Sequence, residues 1–169
     1  MKINKRIMVI VIVAISFLIS VALSLVLPSD ILIVEDEFSI TFLGVILGIE
    51  ITILTFIYSS LSTIQSFIDK LYGKKDIEKS TKVNNLLLSA FNELIEDVKF
   101  VFIAYLLLIV FIIIFNIDFP YIHWPFKILS KDCVNIILKV WIMINILVAT
   151  IDSFFTLTNI MKLATFRKK

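Results

Sequence analysis

Four apolar blocks constrain this chain more than any other feature of its sequence. They lie at about Ile7–Leu27, Ile40–Ile64, Phe100–Ile117 and Val134–Leu157. A helix needs about 20 mostly apolar residues to cross a hydrocarbon core about 30 Å thick. Each block reads as one such helix, and together they occupy most of the 169 residues. The hydrophobic share is 60%, against about 45–50% in soluble domains, and the excess sits in these blocks. The expected fold is therefore an all-α membrane protein, a single domain over 1–169 with no room for a separate catalytic domain.

Little else interrupts that pattern. Three glycines and three prolines leave few breaks within helices. Cys133 and His123 are each the sole residue of their type, so neither an intrachain disulfide nor a Cys/His metal site is expected. There is no nucleophile elbow, P-loop, zinc-protease helix or dinucleotide loop. No enzyme and no cofactor are expected. At the amino end, Lys2, Lys5 and Arg6 precede an apolar run, and Ala22-Leu23-Ser24 resembles a signal-peptide cleavage site. The run continues past that site to Leu27, which favours a retained helix.

Charge assigns the sides of the membrane. Lys2, Lys5 and Arg6 precede the first block. Lys70, Lys74, Lys75, Lys79, Lys82 and Lys99 separate the second from the third. Lys162, Arg167, Lys168 and Lys169 follow the fourth. The other two loops hold only Lys127 and Lys131. The positive-inside rule then places both termini and the middle segment in the cytoplasm. The outer loop at Asp118–Asp132 mixes aromatics with Pro120 and Pro125, which suits a segment at the headgroup level. It reads either as an aromatic belt or as a surface that feels an event outside.

Residues 65–99 form the one sizeable extramembrane segment. The second helix is expected to continue through Tyr72, turn at Gly73-Lys74-Lys75, and give way to a helix capped by Asp76. Val83, Leu87, Ala90, Phe91, Leu94 and Val98 share one face of that helix. The result is a cytoplasmic helical hairpin. Its apolar face either packs on the hairpin's own first arm or a neighbouring subunit, or docks a cytosolic partner.

Within the membrane the second block carries a line of small residues: Thr41, Gly44, Gly48, Thr52, Thr55, Ser59, Ser62 and Ser66. Small residues let helices approach closely in lipid, where no hydrophobic drive brings them together. Ser16, Ser20 and Ser24 of the first block are the expected counterpart. The rival reading is that the stripe lines a narrow pore in an oligomer. Glu50 lies off this line, about 160° around the helix from Thr52 at 3.6 residues per turn. A carboxyl group at such depth costs about 2.5–3.5 kcal/mol on insertion scales, so it needs a partner helix, a cavity or a subunit interface. Asn145 is the first expected partner and Lys139 the second, although Lys139 can also snorkel outward. Asp152 falls on the face of Asn145, one heptad on, with Thr156 and Asn159 extending the polar line.

The stretch Gly44-Val45-Ile46-Leu47-Gly48-Ile49-Glu50-Ile51-Thr52, with Tyr58-Ser59-Ser60-Leu61 and the charged hairpin behind it, resembles the small membrane subunits of two-component bacterial anti-phage systems. The membrane subunit of the Kiwa system is the nearest example. That resemblance implies a homo-oligomer, such as a tetramer, in the bacterial inner membrane. It would sense phage attack and recruit a cytosolic effector that itself binds nucleic acid; the membrane chain would bind none directly. Lys74, Lys75, Lys79, Lys82 and Glu93 are the expected partner-binding residues. Two other functions stay open: a pore-forming or holin-like oligomer working through Thr52, Thr55, Ser59 and Ser62, and an assembly factor for another membrane complex.

Overall fold

The computed structural model describes residues 5–26, 35–72, 77–117 and 130–165. Readings that rest on the Gly73–Asp76 turn, including Lys74 and Lys75, lie outside these residues. So do those on His123, the aromatic loop and the basic tail after Thr165.

Four helices make up the described chain: α1 (Lys5–Val26), α2 (Asp36–Tyr72), α3 (Ile77–Asn116) and α4 (Lys131–Thr165). No proline falls inside any of them, so nothing removes a backbone donor mid-helix. Each contains a stretch long and apolar enough to cross a membrane, as expected of a multi-pass membrane protein. At 1.5 Å per residue the 37 residues of α2 span about 55 Å and the 40 of α3 about 60 Å. Both exceed a hydrocarbon core by several turns. The second and third apolar blocks are thus parts of much longer helices.

The helix starts follow local chemistry. Asp36 and Glu37 occupy the first turn of α2, where a carboxylate complements the free N–H groups. Ser130 caps α4: its Oγ accepts the Cys133 N–H at 3.1 Å. This cap starts α4 at Lys131, three residues before the fourth apolar block.

The chain divides into two units. One comprises Met1–Val45 and Ile103–Val148, the other Ile46–Phe102 and Ala149–Lys169.

In the first unit the serine line of α1 faces α4. Ser16, Ser20 and Ser24 are buried. Asn145 Nδ2 donates to Ser16 Oγ at 3.0 Å, Trp141 Nε1 to the Val13 carbonyl at 3.3 Å, and Cys133 Sγ lies 3.7 Å from Ser24 Oγ. The Trp141 ring meets Phe17 edge-on at 5.8 Å. The expected pairing of these serines with the α2 stripe is therefore corrected: α4 brings the Asn and Trp donors that the serine and backbone oxygens of α1 can accept.

In the second unit an apolar core forms from Ile57 and Ile68 of α2, Leu87, Phe91 and Leu94 of α3, and Ile160 of α4. Val83 and Ala90 pack against it. The apolar face of the 77–99 segment is thus covered within the chain. Polar contacts lock the same region: Asp69 accepts from Ser80 Oγ at 2.9 Å and from Asn84 Nδ2 at 3.0 Å.

Candidate functional site

Glu50 lies in the second unit and has no accessible surface. Its face of α2 also carries Ile46, Ile53, Leu54 and Ile57, all buried or half-buried. The α4 hydroxyls of Thr150 and Ser153 face the carboxyl. Neither completes a hydrogen bond to it, and both Glu50 oxygens are unpartnered. Ser153, itself fully buried, turns its hydroxyl to Asp97 Oδ2 of α3 at 3.5 Å. Asp97 is half-buried. Leaving a buried acceptor unpaired costs about 1–3 kcal/mol, and more if it is charged.

Both partners expected for Glu50 are engaged elsewhere. Asn145 donates to Ser16 and to the Trp141 carbonyl, the latter at 2.7 Å. Lys139 is buried and forms an ion pair with Asp36 at the start of α2. It neither snorkels outward nor meets Glu50, because Asp36 offers a carboxylate at its own level. Asn116 Nδ2 completes that cluster, donating to Asp36 Oδ2 at 2.8 Å. Asp152 and Asn159 are exposed, whereas Asn145 is half-buried and Thr156 buried. The single polar line expected along α4 is therefore split, and its one buried member is Thr156.

Ser153, Thr150, Asp97 and Asp36 are the residues that the sequence reading missed. A signal existed for the first two: Thr150, Ser153 and Thr156 recur at steps of three, and Ile146 and Ile160 continue that buried face at helical spacing.

The small-residue stripe of α2 turns outward. Gly48, Thr52, Thr55, Ser59, Ser62 and Ser66 are all exposed. Thr52, Thr55 and Ser59 return their hydroxyls to the Gly48, Ile51 and Phe56 carbonyls of their own helix at 2.7–2.8 Å. A Cβ at Gly48 would meet nothing within 4 Å, while one at Gly44 would lie 3.4 Å from Tyr105 Oη. Glu50 thus points into the chain, toward α4, and the stripe from Gly48 onward points away from it rather than packing against α1.

On α3, the side opposite the apolar core exposes Lys82, Asn85, Ser89, Asn92 and Glu96, with Glu93 half-buried, and Lys79 is exposed one turn before Val83. Among the described residues, no group of three or more His, Cys, Asp or Glu side chains is placed to hold a metal ion.

Four long apolar helices define the class, a multi-pass membrane protein. Compared with known proteins, the chain matches no family model, no curated protein and no solved structure.

Proposed function

We propose that the chain is a homo-oligomeric subunit of the bacterial inner membrane that holds a cytosolic effector at the cytoplasmic face. The resemblance to the Kiwa membrane subunit makes anti-phage defence the setting of this reading. Its topology, both termini and residues 65–99 inside, rests on the distribution of Lys and Arg.

One observation carries the reading. The apolar side of residues 77–99 is consumed by the chain's own core, and the opposite side exposes a polar face of Lys82, Asn85, Ser89, Asn92 and Glu96, with Lys79 and Leu86 exposed beside it. A partner on that face would be recognised through charge and hydrogen bonds, so a soluble, polar surface fits it better than an apolar helix. The test is purification of the tagged chain, expressed with its neighbouring genes, in gentle detergent. A stoichiometric soluble protein lost on K79E/K82E supports the reading. A homo-oligomer that never holds a soluble protein overturns it.

The outward stripe favours a second reading, a pore-forming oligomer. Small residues and self-satisfied hydroxyls suit a close helix contact or a narrow polar lining. Conductance in planar bilayers, abolished by Thr55→Phe while the oligomer persists, would support the pore.

A further inference from the structure

We infer that one surface of the lipid bilayer meets the second unit at Lys99 of α3, Phe155 of α4 and Tyr58 of α2. The helices beyond that level stand in water as a three-helix bundle. The partner is the boundary between lipid headgroups and acyl chains, and it is met by a belt of Phe56, Tyr58, Phe154 and Phe155, all exposed.

Contacts within the unit set the register. The Tyr58 and Phe91 rings lie 6.1 Å apart, and Asp69 accepts from Ser80 and Asn84, so α2 and α3 run antiparallel side by side. Glu50 precedes Tyr58 by the same number of residues as Lys99 follows Phe91, about 12 Å along each helix, so Glu50 stands level with Lys99. On α4, Ser153 donates to Asp97 Oδ2 at 3.5 Å and Ile160 packs with Leu87 and Phe91. Phe154 and Phe155 are therefore about level with Glu96 and Ile95.

The exposed side of each helix changes character near this level. On α2 it carries Ile49, Ile51, Phe56 and Tyr58 beside the small residues, and after them only Ser59, Ser62, Thr63, Ser66, Asp69 and Lys70. On α4, Ile151, Phe154 and Phe155 give way to Thr158, Asn159 and Lys162, with Met161 the exception. On α3, Ser89, Asn92, Glu96 and Lys99 give way to Phe100 and Phe102, and Ile77, Leu86 and Leu88 are the apolar exceptions on the polar side. The three changes fall between the levels of Phe91 and Lys99, within about 12 Å. Headgroups widen a bilayer from about 30 Å to about 40–45 Å, and aromatic rings favour that added layer. Glu96, Lys99 and Asp152 are exposed in the same layer, where hydrocarbon would penalise each of them.

Lipid suits this belt better than a second copy does. The aromatics project from two helices and the polar change occurs on all three, so the feature follows depth rather than one side of the unit. The apolar run of α2 continues past Tyr58 for a different reason: Leu61, Ile64 and Ile68 pack inward with Leu87, Phe91 and Leu94. Hydropathy counts such residues as lipid-facing although they belong to the core of the bundle. Of the outward stripe, Ser59, Ser62 and Ser66 then lie in water, and only Gly48, Thr52 and Thr55 remain at or within the bilayer.

Spin labels on single cysteines in the full chain, reconstituted in phosphatidylcholine–phosphatidylglycerol vesicles, test this. Cys133 is replaced by Ser, or by Ala if serine is not tolerated, and labels are placed at I49C, F56C, S62C and S66C on α2, at F155C and N159C on α4, and at S89C and F102C on α3. All eight side chains are exposed, or absent of neighbours by their position on the outer face, so none opens the core. Collision with dissolved oxygen should exceed collision with a water-soluble nickel chelate at I49C and F102C. The order should reverse at S62C, S66C, N159C and S89C, with F56C and F155C at the crossover. Oxygen dominance persisting through S66C and N159C overturns the proposal, because the bilayer would then cover the whole unit. Labels at F56C and F155C that neither reagent reaches overturn it as well, because a second copy would then cover the belt. None of these outcomes depends on an effector.

Discussion

Lys139 of α4, its side chain only 4% exposed, is ion-paired with Asp36 in the first turn of α2. The pair ties α4 to the start of α2, and Asn116 of α3 shares the same carboxylate. Breaking a buried pair from one side strands the other charge, which costs about 3–5 kcal/mol. Asp36 is 35% exposed, so solvent screening brings the expected figure to the low end of that range. D36N should therefore lower thermal stability in detergent by several degrees. The double change D36N/K139M should recover much of it, because no charge is then left buried. A double variant no better than D36N would show that the ion pair is not what holds these helices.

Asn145 bridges α4 to Ser16 of α1. Hydrogen bonds between membrane helices are worth about 0.6 kcal/mol on average and up to about 1.7. N145A and S16A should each destabilise by about 1 kcal/mol, and the double variant by less than their sum. A thermal-denaturation cycle reads this directly.

Gly48 faces open space and Gly44 faces Tyr105. Gly48→Leu should leave the folded subunit intact, since nothing within the chain opposes the new side chain. It should nevertheless split the oligomer on sizing columns if the stripe is the contact between copies. Unchanged particle size would remove the stripe from that role.

Leu87 is fully buried among Ile57, Ile68 and Leu94. L87A should cost about 2–5 kcal/mol through lost burial and the cavity left behind. K79E/K82E, on the exposed side of the same helix, should stay within about 0.5 kcal/mol of the parent. Effector capture, measured together with stability, should be lost in K79E/K82E despite that unchanged stability.

Much of the helical framework was legible from residue order. The run through Tyr72 and the restart at Ile77 both follow from Gly73-Lys74-Lys75 interrupting a helical pattern. The side-chain partners were harder to read. Asn145 and Lys139 were obvious candidates for Glu50 by depth alone, yet Ser16 and Asp36 take them. A helix position says how far along the axis a group lies, not which neighbour stands opposite. Ser153 was passed over because a small hydroxyl in an apolar helix resembles many packing residues.

Hydropathy and the scarcity of helix breakers determined by themselves that this chain forms four long helices. In lipid a spanning backbone must satisfy its own hydrogen bonds, so a long apolar stretch has few alternatives. Which way each helix turns was decided only by tertiary structure. Almost every other face of α2 is compatible with lipid, so composition left open whether the partner of Glu50 lies in this chain or in a neighbour, and which way the glycine–threonine stripe points. The structure turns the carboxyl toward Thr150 and Ser153 and leaves the stripe outside. The physical reason is asymmetric: the hydroxyls of the stripe are satisfied by their own helix wherever they point, whereas a carboxyl group must leave the lipid.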